Sequence, residues 1–151
     1  MTPPPGTFHQ RSVTQLIRIL AHHLVRHPVG EVFCSPIAVV LSDIHVVEPD
    51  LVYVSNEKKN LIKERVIFGS PNLVVEVLSK GNKKTDRLIK FKLYAQFKVP
   101  HCWIVDPVEK RMKLHELKKE EYQLIAKKQG IEMVKPPLFP RLEFSLKKLW
   151  V

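Results

Sequence analysis

Asp50 in EPDLVYV, Glu76 in PNLVVEVLS and Lys90 in DRLIKFKLY are the side chains of this sequence best placed to do chemistry. Each acid touches a short β-branched apolar run of the kind that forms a buried strand, where a charge is costly unless something compensates it. A divalent metal ion is the obvious compensation. Hard cations take carboxylate oxygens, and Mg²⁺ or Mn²⁺ held there would polarise a phosphoryl oxygen, activate water and neutralise the leaving oxygen in phosphodiester hydrolysis. A nearby ammonium, the role assigned to Lys90, positions the attacking water or stabilises developing negative charge. Covalent chemistry finds no support: no serine sits in a G-x-S-x-G elbow, neither cysteine has a sequence-level partner, and the five glycines form neither a P-loop nor a Rossmann pattern.

Each candidate has a plainer reading beside it. Asp50 follows Pro49 at a strand start, where a turn or edge residue hydrogen-bonded to backbone is equally natural. Glu76 would be unremarkable on the solvated face of an alternating strand, yet Val74, Val75, Val77 and Leu78 flank it with apolar residues on both sides, as in a sheet covered on both faces. Asp86 and Lys90 stand four apart, acid first, an ordinary helix pair worth only ~0.2–0.5 kcal/mol. Lys80, Lys83, Lys84, Arg87 and Lys92 form either a phosphate-contacting rim or a solvated loop and helix start. Of the seven histidines, only His22, His23 and His27 cluster, and without an H-E-x-x-H pattern they read as a polar helix face. His9 either supports the site from behind or caps and packs. Trp103 and Trp150 read as core or interface anchors.

The elements that must hold these residues follow from periodicity. Apolar residues from Ser12 to His27 recur at three and four and predict a helix, ended by Pro28 and Gly30. Val32 to Leu41 and Val46 to Ser55 predict two strands of a hairpin, with Pro49 suited to an edge or bulge. NEKKNLIKERVIFGS is polar with a short helical piece, and Asn72 to Ser79 is the most strand-like stretch. A second helix is predicted from Thr85 to Phe97, capped by Thr85 or Asp86, with apolar residues most of the way round and therefore substantial burial. His101 to Val105 predicts a strand, Met112 to Ala126 a closing hairpin, and Pro136 to Val151 a tail with an apolar patch. The class is α/β with a mixed sheet flanked by helices.

A length of 151 residues suits one domain, residues 1–151. The formal net charge of +10, from 25 Lys and Arg against 15 Asp and Glu, favours polyanionic partners such as nucleic acid. Cys34 and Cys102 are too few and too separated for a disulfide framework or a zinc ribbon, and read as reduced and structural. No apolar run reaches the ~20 residues of a membrane span and no signal peptide is visible, so the expectation is a cytoplasmic protein without membrane attachment.

The segments EPDLVYV (48–54), PNLVVEVLS (71–79), DRLIKFKLY (86–94) and WIVDP (103–107), in this order and spacing, resemble the Uma-two family of restriction-endonuclease-like proteins, a branch of the PD-(D/E)XK nuclease superfamily. The resemblance covers nearly the whole chain, from PPPGTFHQ to FPRLEFSLKKLW. It implies a restriction-endonuclease-like sheet and Mg²⁺- or Mn²⁺-dependent endonucleolytic cleavage of DNA, with Asp50 and Glu76 as metal ligands. The usual lysine two residues after the acid is Leu78 here, and relatives that take it from the following helix point to Lys90, with Lys92 as competitor. The family commonly carries a further N-terminal segment with a strand and an acidic residue, whereas this sequence begins almost at the His9 motif, and the resemblance leaves open a fragment, a mis-started reading frame or a decayed copy that would be short of an acid ligand. Asn72 replaces the family's usual aspartate, and Lys98, His101 and Cys102 its more common glycine, glutamate and tyrosine. A rival expectation is an inactive nucleic-acid-binding or structural relic of the fold. Cutting both strands of a duplex further predicts a two-fold homodimer, formed through the elements around Trp150 and the hairpin from Met112 to Ala126.

Overall fold

The computed structural model describes residues 5–81 and 84–151. Its first helix, α1, runs Thr7–Arg26 and buries His9, Ser12, Val13, Leu16, Leu20, His23 and Leu24 along one face. It begins at Thr7 and not at the expected Ser12, because His9 and Ser12 extend the same stripe backward until Gly6. His23 lies on the core side and not on a polar face, its ring edge-on to Phe139.

The two long strands expected before residue 55 are each broken, next to Pro36 and Pro49, since proline cannot donate to a ladder. Their outer pieces, β1 (Gly30–Cys34) and β4 (Leu51–Ser55), pair antiparallel in the main sheet. The inner pieces, β2 (Ala38–Val40) and β3 (Val46–Val47), leave it and form a small sheet with β5 (Val66–Phe68), a strand hidden in the polar segment after the 3₁₀ turn Asn56–Leu61. The remaining strands are β6 (Leu73–Val77), β7 (His101–Asp106), β8 (Arg111–Lys118) and β9 (Glu121–Gln129). The main sheet has the order β1-β4-β6-β7-β8-β9, antiparallel except for the β6–β7 pair. A parallel pair needs a crossover, and the helix α2 (Lys84–Gln96) provides it.

Alternation along the strands sends side chains to two cores. Leu51, Tyr53, Leu73, Val75, Val77, Trp103 and Val105 pack with α1, whereas Val52, Val54, Val74 and Cys102 pack with Tyr94 of α2. The sheet is thus covered on both faces at Glu76, as its flanking residues predict. The second helix is less buried than its sequence suggests. Only Tyr94 is fully buried, while Leu88 and Ile89 are 50% and 59% exposed, because the first half of α2 overhangs a cleft and the second half rests on the sheet.

The tail is not a free apolar patch. Chain from β10 (Met133–Val134) through β11 (Phe144–Ser145) to the 3₁₀ turn Leu146–Leu149 folds back on the first core, burying Phe139, Leu142, Phe144, Leu146 and Leu149. Ser12 Oγ donates to Leu149 O and Trp150 Nε1 to Gly130 O. The elements around Trp150 are therefore occupied within the chain, and of the two surfaces expected for a dimer the hairpin is left, with β9 as one of the two edge strands of the sheet. No described helix is long and apolar enough to cross a membrane.

Beyond α2 the chain turns at Lys98, whose φ of 61° lies in the left-handed region, while Val99 N donates to Tyr94 O. That bond closes the helix in the manner that favours glycine. Lys98→Gly should therefore raise stability by ~0.5–1 kcal/mol, read as a rise of about 2–4 °C per kcal/mol in a thermal melt. The exposed 3.9 Å contact from Lys98 to Glu120 that would be lost contributes little.

Candidate active site

The pairing of β4 with β6 sets Leu51 opposite Val75 and Val52 opposite Val74. One step further in the same register Asp50 stands opposite Glu76. Asp50 Oδ2 accepts from Val77 N at 2.7 Å, and its other oxygen lies 3.3 Å from His9 Nε2 at the start of α1. The carboxylate is thus fixed by a backbone N–H, as the plainer reading allows, and its second oxygen is turned to an imidazole.

Glu76 is the more unusual group. It points to the α2 face, its side chain 14% exposed, and accepts from Tyr94 Oη at 2.6 Å, with Lys90 Nζ 3.4 and 3.5 Å from its two oxygens. Burial pushes its pKa up; the Lys90 ammonium and the Tyr94 hydroxyl pull it down, and the negative charge of Asp50 pushes it up again. Two acids therefore crowd one end of adjacent strands with a single partly exposed ammonium beside them. Tyr94 is itself raised, first by burial and then by the Glu76 charge, so its phenol stays protonated and donates.

Lys90 reaches Glu76 across the gap between helix and sheet, and the described ion pairs include none to Asp86. Lys92, two residues on, points away and lines a separate groove with Gln96, Glu120 and Tyr122. Of the basic rim, Lys84 and Arg87 line the cleft beside Glu76, Lys80 is exposed, and Lys83 lies outside the described residues.

Of the two neighbours of the acids, the sequence singles out His9 but not Tyr94. Tyr94 reads as one more apolar residue of α2, although its spacing of four from Lys90 places both on one face and was the available signal. His9, read from the sequence as either supporting the site or capping and packing, lies 3.3 Å from Asp50, a relation that exists only once α1 packs across the sheet. Tyr94→Phe should cost ~1.5–3 kcal/mol, the value of a hydrogen bond to a charged group, measured by denaturant unfolding.

The donor set is oxygen-rich and small. Among the described residues no group of three or more His, Cys, Asp or Glu side chains is arranged to hold a metal ion. Two carboxylates nevertheless match Mg²⁺, which keeps most of its waters and takes one or two protein carboxylates. The raised proton affinity of Glu76 beside Asp50 is what a bound cation would relieve.

A mixed sheet with one helix on each face defines an α/β domain. The Uma2 family model, described as "Putative restriction endonuclease", matches residues 1–147, and the chain belongs to this family. A crystal structure from Anabaena variabilis, described as "a putative nuclease belonging to DUF820", is similar with a TM-score of 0.79 and 17% identity, over 99% of this chain and 84% of that one. At that identity the likeness is one of fold. Comparison with curated proteins finds no match.

Proposed function

We propose that the protein is a Mg²⁺- or Mn²⁺-dependent endonuclease that hydrolyses phosphodiester bonds of DNA. The observation that carries this is the placing of Asp50, at the head of β4, beside Glu76 of the adjacent β6, with Lys90 of α2 3.4 Å from Glu76 where these two line the cleft. Asp50 and Glu76 would hold the cation, which supplies charge neutralisation and an activated water when bound. Val77 N and His9 fix the orientation of Asp50, and Tyr94 fixes that of Glu76. Lys90, paired loosely at 3.4 Å and 40% exposed in its side chain, has the freedom to turn toward the attacking water or the charged phosphoryl oxygens. The net charge of +10 supports a polyanionic substrate.

The rival is a relic that binds nucleic acid without cutting it. Purified protein incubated with supercoiled plasmid separates the two: nicking should need Mg²⁺ or Mn²⁺, stop with EDTA, and vanish in Asp50→Asn. Equal nicking by the variant, or none by either protein, would leave the relic. Cleavage of both strands calls for two copies, for which the hairpin with its β9 edge is left of the two expected surfaces; light scattering should then report about twice the 17.5 kDa chain mass.

A further inference from the structure

Beyond Glu76 and Lys90 the cleft between α2 and the sheet continues over β7 and β8, with a volume of about 350 Å³. The sequence drew no attention to its far wall. Met112 and Leu114 of β8 are buried in the α1 core, so alternation turns Arg111, Lys113 and His115 to the α2 face, and all three line the cleft. A half-covered sheet face under a helix is ordinarily apolar; here one strand presents two cations to it. Arg111 Nε is held by Gln129 Oε1 at 3.2 Å, which anchors the guanidinium base and leaves its terminal nitrogens free to face the cleft. From the opposite wall Arg87 adds a third cation, and its Nε, buried, has no hydrogen-bond partner among the described residues. Two acids besides Glu76 also line the space. Asp106 is tied to the backbone N–H groups of Val108 and Glu109, and Asp86 is exposed on the first turn of α2. The apolar part of the lining includes Phe91 from α2 and Ile104 from β7.

An apolar lining with aromatic character, rimmed by cations, is the arrangement that takes an unpaired base and its phosphate. The volume is at the small end of ligand pockets and holds a nucleotide, not a base pair. We infer that this cleft receives one unpaired nucleotide of the strand being cut, its base against Phe91 and Ile104 and its phosphate at Arg87, Arg111 and Lys113. The inference rests on the nuclease reading above and names its substrate: single-stranded or frayed DNA in preference to intact duplex.

Fluorescence anisotropy in EDTA tests binding apart from cleavage, with labelled dT12 and a 12-base-pair duplex as probes. The full-length protein should bind dT12 at least about tenfold more tightly than the duplex. Arg111→Ala and Lys113→Ala should each weaken dT12 binding by about tenfold and lower the salt slope by about 1, with a melting curve confirming that each variant folds. Lys113→Gln, which keeps the aliphatic stem, should lose as much as Lys113→Ala. Inorganic phosphate should compete only as far as a chloride control of equal ionic strength. Equal or tighter duplex binding, unchanged affinity in both alanine variants, or full displacement by phosphate would overturn the inference. Its failure is separable from that of the nuclease reading. Plasmid nicking without single-strand preference removes only the cleft assignment, and single-strand binding without any metal-dependent nicking removes only the cleavage.

Discussion

Replacing Glu76 by glutamine should abolish cleavage and at the same time make the metal-free protein more stable. Changing groups that merely support a metal ligand costs about 10–100-fold, so losing a ligand should cost at least ~100-fold in the plasmid assay. Stability should move the other way. Glu76 is a carboxylate with little solvent access, opposite a second acid and compensated by one ammonium at 3.4 Å; a neutral amide of the same shape still accepts from Tyr94 and removes the buried charge. A gain of ~1 kcal/mol would appear as about 2–4 °C in a melt performed in EDTA. The pH dependence carries the same sign. Burial raises the folded-state pKa above the ordinary 4.5, so the folded protein holds the proton more tightly than the unfolded chain. Stability of the wild type without metal therefore falls as pH rises from 4.5 through the folded value. Glu76→Gln lacks this fall, and Mg²⁺ should reverse it in the wild type at neutral pH by binding only the folded state.

Lys90→Met should lower cleavage by ~10²-fold, the usual cost of removing one group aimed at developing charge, while Lys92→Met should leave it within about twofold. The pair is informative because the two lysines are two residues apart and chemically identical. Only their direction differs: Lys90 faces Glu76 across the cleft, and Lys92 lines a groove on the other side of the helix. The ordinary alternative for Lys90, a surface helix pair with Asp86, predicts nearly equal and small effects for both. Single-turnover kinetics separates loss of the chemical step from loss of binding.

What the sequence discloses follows from how local each signal is. Glu76 stands out because a charge inside LVVEVL has nowhere benign to go once the strand is covered on both faces, and the cores on the two sides of β6 are what make it costly. Asp50 is legible through its place at the head of β4. The strand breaks near Pro36 and Pro49 are legible in principle, since each removes a donor, but which sheet each fragment joins depends on partners far along the chain. The all-round apolar pattern of α2 misleads about burial, because Leu88 lines a cleft whose existence no local pattern signals and Ile89 is left exposed outside it. The His9–Asp50 contact and the cations of β8 are tertiary facts of the same sort: alternation shows that Arg111 and Lys113 share a face, and only the packed sheet shows what that face looks onto. The apolar tail has a local signal that fits two outcomes, a partner or the protein's own helix, and the hydrogen bond from Ser12 to Leu149 O shows that α1 takes it.

The most direct test of the site is a crystal of the wild-type protein soaked in Mn²⁺, with data collected for its anomalous signal. The account predicts a peak between Asp50 and Glu76 with carboxylate oxygens at roughly 2.0–2.3 Å, the range of small hard cations, and none in a crystal of Glu76→Gln. No peak at these two side chains in the wild type, or an equal peak in the variant, would contradict it.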